Sequence, residues 1–147
     1  MKCEDVMKRQ LSAIAPQTTA ARAAREMRAA GIGFLPVCNR EGTVVGVLTD
    51  RDLALRVCAD QLPVETTTAS AIMTTAVIAC RGDDSLDQVE ALMARHQKSR
   101  LVVVDPNGHL AGVVSITDLL QVEEPIRVAR LLRQVSARCF RYEGAQA

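Results

Sequence analysis

The chain has 147 residues, 48% of them hydrophobic and 24% charged; that is enough apolar material for a sizeable core and excludes a disordered tail. Aromatic residues make up only 2%, with no Trp, so the core must be packed from Val, Leu, Ile, Met and Ala. A net charge of +1 excludes a general electrostatic pull toward nucleic acid or an anionic membrane, and no stretch reaches the roughly 18 uninterrupted apolar residues of a membrane span.

The N-terminus, Met1-Lys2-Cys3-Glu4-Asp5, lacks a signal h-region, so a soluble cytoplasmic protein is expected. A short strand is predicted near Leu11 to Ala15. Thr18 and Thr19 then cap an amphipathic helix whose apolar positions are Ala20, Ala23, Ala24 and Met27. Two apolar runs, Phe34 to Cys38 and Thr43 to Leu48, flank the turn Asn39-Arg-Glu-Gly42 and read as a β-hairpin. A helix opens at Thr49, and Asp60 to Ser70 has no clear period and serves as a connector.

The same order then recurs. A shift of 66 positions superimposes Met7 on Met73, Met27 on Met93, Leu35 on Leu101, Gly42 on Gly108, Gly46 on Gly112 and Asp52 on Asp118. The second copy has a strand near Val77 to Cys80, a helix after Asp84-Ser85 carrying Leu86, Val89 and Met93, a hairpin of Arg100 to Val104 and His109 to Val114, and a helix opening at Ser115. One β-α-β-β-α unit alone would expose a sheet face, and two can bury theirs together. The expected fold is α+β: two pseudo-symmetric repeats packed sheet to sheet in one domain. Repeat 1 spans 1–60, the connector 61–70, repeat 2 spans 71–122, and a helix and tail follow at 123–147.

That last helix opens at Glu123-Glu124-Pro125, as a helix N-terminus favours. Val128, Leu131, Leu132, Val135 and Cys139 form its apolar stripe, and Arg127, Arg130, Arg133, Arg138 and Arg141 make its other faces basic. It can pack on its own domain, meet a second copy or an acidic protein, or touch nucleic acid; the last is the weakest reading because no aromatic platform accompanies the arginines.

The sharpest chemical feature sits where strand meets helix in both copies: Gly46-Val-Leu-Thr49-Asp-Arg51-Asp52 and Gly112-Val-Val-Ser115-Ile-Thr117-Asp118. A carboxylate there can accept hydrogen bonds from both hydroxyls of a ribose, and the hydroxyl and helix-start N–H groups can meet phosphate. The same residues also satisfy a capping box, in which the hydroxyl caps the helix and the acid returns a bond to the cap N–H. Cys3, Cys38, Cys58, Cys80 and Cys139 are odd in number and scattered, which argues against structural zinc and for buried hydrophobes or bystanders. His96, at the end of a helical stripe, reads as a partly buried structural residue. No nucleophile has an evident base, so no catalytic residue and no metal site is assigned.

These motifs, with Asp5-Val6-Met7 and Ala71-Ile72-Met73 and with Gly33-Phe-Leu-Pro-Val37 and Ser99-Arg-Leu-Val-Val103, resemble the paired cystathionine β-synthase (CBS) domains, or Bateman module, over about residues 3 to 120. The resemblance implies a regulatory, non-catalytic module with two adenosine-nucleotide sites between the repeats and no obligatory cofactor. Its ligands would be AMP, ADP, ATP, S-adenosylmethionine or NAD-type molecules. By motif, Asp52 and Asp118 would hold the riboses, Thr49 and Ser115 would approach phosphate, and Thr117 would add a second hydroxyl. Residues around Ala13-Ile14 and Ile78-Cys80 would line the adenine pockets. Arg51, Lys98 and Arg100 are the candidate phosphate cations, with Arg100 expected to serve the site built on Asp52. The first repeat keeps Pro16 and Pro36 where the second has Gly82 and Val102, so the two sites should differ. A homodimer, and a separate protein target, are further implied. The alternatives are a ligand-free dimerisation or scaffold module and, more weakly, nucleic-acid binding through the terminal helix.

Overall fold

The computed structural model describes the backbone of residues 1–140 and the side chains of residues 1–137. The side chains of Arg138 and Cys139, and all of Arg141, lie outside the described residues.

The architecture is α+β. In chain order the elements are α1 (Cys3–Val6), α2 (Ala20–Ala30), β1 (Phe34–Cys38), β2 (Val44–Thr49), α3 (Asp50–Asp52), α4 (Ala69–Ile72), β3 (Ala79–Arg81), α5 (Leu86–His96), β4 (Arg100–Val104), β5 (Leu110–Ser115), α6 (Ile116–Leu119) and α7 (Pro125–Phe140). Beyond α3 the chain widens into a π-helical stretch, Leu53–Cys58, which closes on the bond from Ala59 N to Ala54 O.

The chain divides into two compact units that do not follow the sequence repeats. One comprises Gln10–Val77 with Pro106–Leu110, the other Met1–Arg9 with Ile78–Asp105 and the described residues from Ala111. Each leading segment is thus exchanged: residues 1–9 fold with the second repeat, and 69–73 with the first. The pairings obey the same 66-residue shift. Lys2 bridges Ser85 as Thr68 bridges Thr19, and Lys8 bridges Val113 as Thr74 bridges Val47.

In the first-repeat unit, β1 and β2 pair antiparallel from Phe34↔Thr49 to Val37↔Gly46, with a bulge before Cys38. Gly42 turns the hairpin at φ 85°, a left-handed conformation that costs other residues more than glycine. The core is Ile14, Ala20, Ala23, Met27, Leu35, Val37, Leu48, Val57, Ala69 and Ile72. Ala24, predicted on the apolar face of α2, is exposed; the buried stripe is the narrower Ala20, Ala23 and Met27.

The strand predicted at Leu11 to Ala15 is reduced to one parallel bridge, Ile14↔Val37, made by Ile14 N to Pro36 O and Cys38 N to Ile14 O. The next bond of a parallel ladder would need an N–H at position 16, and Pro16 has none. In the second repeat Gly82 stands at that place, and β3 pairs parallel with β4 over Ala79↔Val102 to Arg81↔Val104. That strand begins two residues later than the Val77 predicted.

The second-repeat unit carries the sheet β3-β4-β5 and a larger core that includes Cys3, Met7, Cys80, Leu86, Val89, Met93, Leu101, Val114 and Leu119. Val128, Leu131 and Val135 of α7 join this core, so the terminal helix packs on its own unit, whereas Leu132, predicted in the stripe, is 50% exposed. Arg127 fixes the helix further, its guanidinium reaching Asp87 and Glu90 of α5 and Glu123. His96 is exposed rather than partly buried, because α5 ends there and Gln97, at φ 52°, turns the chain away before another apolar layer forms.

Candidate functional site

Both hydroxyl-x-x-Asp corners fold as capping boxes. At the end of β2, Thr49 N donates to Asp52 Oδ2 at 2.9 Å and Thr49 Oγ1 accepts from Asp52 N at 3.1 Å. At the end of β5, Ser115 N donates to Asp118 Oδ2 at 2.9 Å, and Ser115 Oγ lies 2.7 Å from Thr117 Oγ1. In each corner the box takes Oδ2 and leaves Oδ1 directed elsewhere. The two Asp side chains are 13% and 11% exposed, so each carboxylate is largely desolvated yet reachable.

What meets Oδ1 differs between the corners. Asp118 Oδ1 pairs with Lys8 Nζ at 3.2 Å, and Asp52 Oδ1 lies 3.7 Å from Arg56 Nε. The Arg56 guanidinium is also tied to the end of α4, donating from Nη1 to the carbonyls of Ile72 (2.9 Å) and Met73 (3.2 Å). Neither cation was among the predicted site residues. Arg56 is legible as the i+4 partner of Asp52 on one helical face, whereas nothing local in the sequence places Lys8 beside Asp118.

The structure brings Thr49 and Asp52 together in one unit, and Ser115, Thr117 and Asp118 in the other. Arg51 and Lys98 are exposed, and Arg100 is half-buried at the start of β4. Ile14 and Cys80 turn their side chains into the two cores, Ala13 is exposed, and Ile78 packs partly buried beside the second core. Pro36 is buried in β1. A shallow cavity of about 210 Å³ is lined by Ala15, Pro16, Gln17, Cys38, Asn39 and Arg40; none of the proposed site residues lines it.

Of the cysteines with described side chains, Cys3 and Cys80 are buried hydrophobes, Cys38 is partly buried and Cys58 is exposed. Cys3 and Cys80 meet with their sulfurs 3.8 Å apart. The hydrogen bond between them holds the Cys3 thiol below the ordinary thiol range and, with burial, pushes Cys80 above it. Burial also raises Cys38. Among the described residues no group of three or more His, Cys, Asp or Glu is placed to hold a metal ion, and no helix is long and apolar enough to cross a membrane.

A tandem α+β repeat with a matched acidic corner at the end of a strand in each copy defines the class of the chain, a paired-repeat module. The CBS-domain family model matches twice, at residues 3–58 and 69–124, offset by the same 66 positions as the internal repeat, and the chain belongs to the CBS-domain family as a tandem pair. It is 38% identical over 120 residues to the CBS domain-containing protein YhcV of Bacillus subtilis, covering 79% of this chain and 81% of that one. Its fold matches the CBS-domain protein TA0289 of Thermoplasma acidophilum at TM-score 0.80 and 22% identity, covering 91% of this chain and 75% of that one. It also matches the CBS domain pair of MJ0100, solved in complex with 5′-methylthioadenosine and S-adenosyl-L-methionine, at TM-score 0.74 and 24% identity, covering 83% and 98% of the two chains.

Proposed function

We propose that this CBS pair is a regulatory module that binds an adenosine-containing ligand and passes its occupancy to a separate protein. The observation that carries the reading is the repeated corner. A plain capping box needs only one carboxylate oxygen, and at both Asp52 and Asp118 the second oxygen of a mostly buried side chain is held outside it. Paired ribose hydroxyls are donors of the right kind for such a carboxylate. Thr49 Oγ1 accepts within its box and keeps its own proton for a phosphate oxygen. The MJ0100 pair, of the same fold, takes two adenosine derivatives, which supports the ligand class. Arg51, Lys98 and Arg100 remain the proposed phosphate partners, and Ala13, Ile14, Pro36, Ile78 and Cys80 the proposed surroundings of the base. Because the Ile14 amide and carbonyl are already bonded and the Ile14 and Cys80 side chains are buried, their part is to fix the pocket wall.

Calorimetric titration with AMP, ADP, ATP, S-adenosylmethionine and NADH tests the proposal: at least one should bind. Asp52→Asn and Asp118→Asn keep an acceptor for the cap N–H while removing the charge. Each should weaken binding about tenfold with little change in Tm, as expected for a hydrogen bond to a charged group. No heat with any of the five sinks the reading.

A second reading, a ligand-free dimerisation module, draws on Leu120, Val122, Ile126 and Leu132, which are 41 to 70% exposed in the second-repeat unit. Light scattering on Ile126→Glu and Leu132→Glu variants separates the two, since loss of a dimer with no ligand response in the wild type would favour it.

A further inference from the structure

The cations on the two acidic corners share a feature that the nucleotide reading does not require. Each ties its Asp to a leading segment exchanged between the repeats. Lys8 belongs to residues 1–9, which fold with the second repeat, and its backbone exchanges two hydrogen bonds with Val113 on β5, two residues before Ser115 (2.9 and 3.0 Å). Its side chain then reaches Asp118. At the matching register of the first repeat stands Thr74, which exchanges the same two bonds with Val47 (2.9 and 3.0 Å) but brings no cation. There Arg56 fills the role from the corner's own helix, gripping the carbonyls of Ile72 and Met73 in that leading segment. The contact is close in both places. A Cβ at Gly112 would come within 2.9 Å of Lys8 O and Met7 Sδ, and one at Gly46 would strike Met73.

Resting on the ribose reading of the corners, we infer that Lys8 and Arg56 are internal competitors for the two carboxylates, so that ligand binding at the Asp118 corner loosens the leading segment clipped to it. A ribose that takes Oδ1 displaces the ammonium of Lys8 from Asp118, and the segment 1–9 loses a side-chain anchor while keeping its backbone bridge. At Asp52 the ligand must part Arg56 from the carboxylate, but the two carbonyl bonds still hold the guanidinium in place. The Lys8 corner is therefore the more easily opened of the two, and the signal it sends is movement of α1. By linkage, whatever fixes α1 must weaken ligand binding at Asp118 by the same factor.

The test is calorimetric titration of AMP and S-adenosylmethionine into the wild type, Lys8→Met, Lys8→Arg and Asp118→Asn, with hydrogen exchange of the amides of residues 3–8 with and without ligand. Lys8→Met should bind about two- to fivefold more tightly, the span expected of an exposed ion pair. Lys8→Arg should bind like the wild type, and ligand should speed exchange in residues 3–8 of the wild type but not of Lys8→Met. If the wild type binds and Lys8→Met binds equally or more weakly, the competitor role is overturned while the nucleotide reading stands. If neither ligand binds any of the four proteins, the same titrations with ADP, ATP and NADH decide: a binder among them that Lys8→Met takes no more tightly overturns the competitor role alone, and no binder among the five sinks both readings.

Discussion

Gly46 and Gly112 were legible as a repeated pair in the sequence, and the structure supplies the reason: each lets a leading segment lie directly on the strand that ends in the acidic corner. The obstacles are unequal, since Gly46 faces the flexible Met73 side chain whereas Gly112 also faces the main-chain carbonyl of Lys8. Gly112→Ala should therefore cost about 2 kcal/mol, an overpacking penalty, and Gly46→Ala less; chemical denaturation measures both. The aspartates were equally legible, but the sequence could not divide their two oxygens between box and ligand. The cysteines differ most in access: iodoacetamide followed by peptide mapping should label Cys58 well before Cys38, Cys3 and Cys80 in the folded protein. Labelling of Cys3 at a rate near that of Cys58 would mean that the α1 segment does not rest on its core.

The helices and hairpins followed their local signals closely. Thr19 and Ser85 cap α2 and α5 by accepting from the N–H three residues on (both 3.3 Å), as their positions before the apolar stripes predicted. The helices end alike as well, Gly31 and Gln97 both turning left-handed at positions 66 apart. Nothing lies within 4 Å of where a Gly31 Cβ would sit, so Gly31→Ala isolates the conformational term and should cost about 1 kcal/mol by thermal denaturation, a drop of about 3 °C. Where predictions failed at this scale, a neighbour in space decided. Pro16 cut the first strand to one bridge because a ladder bond falls on it, and His96 lost its expected cover because the helix stops at that layer. The π-helical widening after Asp52 has no sequence signal that we can name.

Across the whole molecule, repetition was written in the sequence, because each copy must rebuild the same periods, turns and caps for itself. The 66-residue shift recovered both family matches and the register of the strand pairings. The sequence by itself determined the α+β class, the hairpins, the capped helices and the pairing of Thr49 with Asp52 and of Ser115 with Asp118, all of which rest on contacts within a few residues. Only the tertiary structure decided which repeat each leading segment joins, and with it the placing of Lys8 against Asp118, 110 positions away in the chain. The repeats are alike enough that residues 1–9 and 69–73 carry the same local pattern, and no short-range rule says which copy they should cover. That choice is made by backbone bonds and core contacts between segments far apart in the chain.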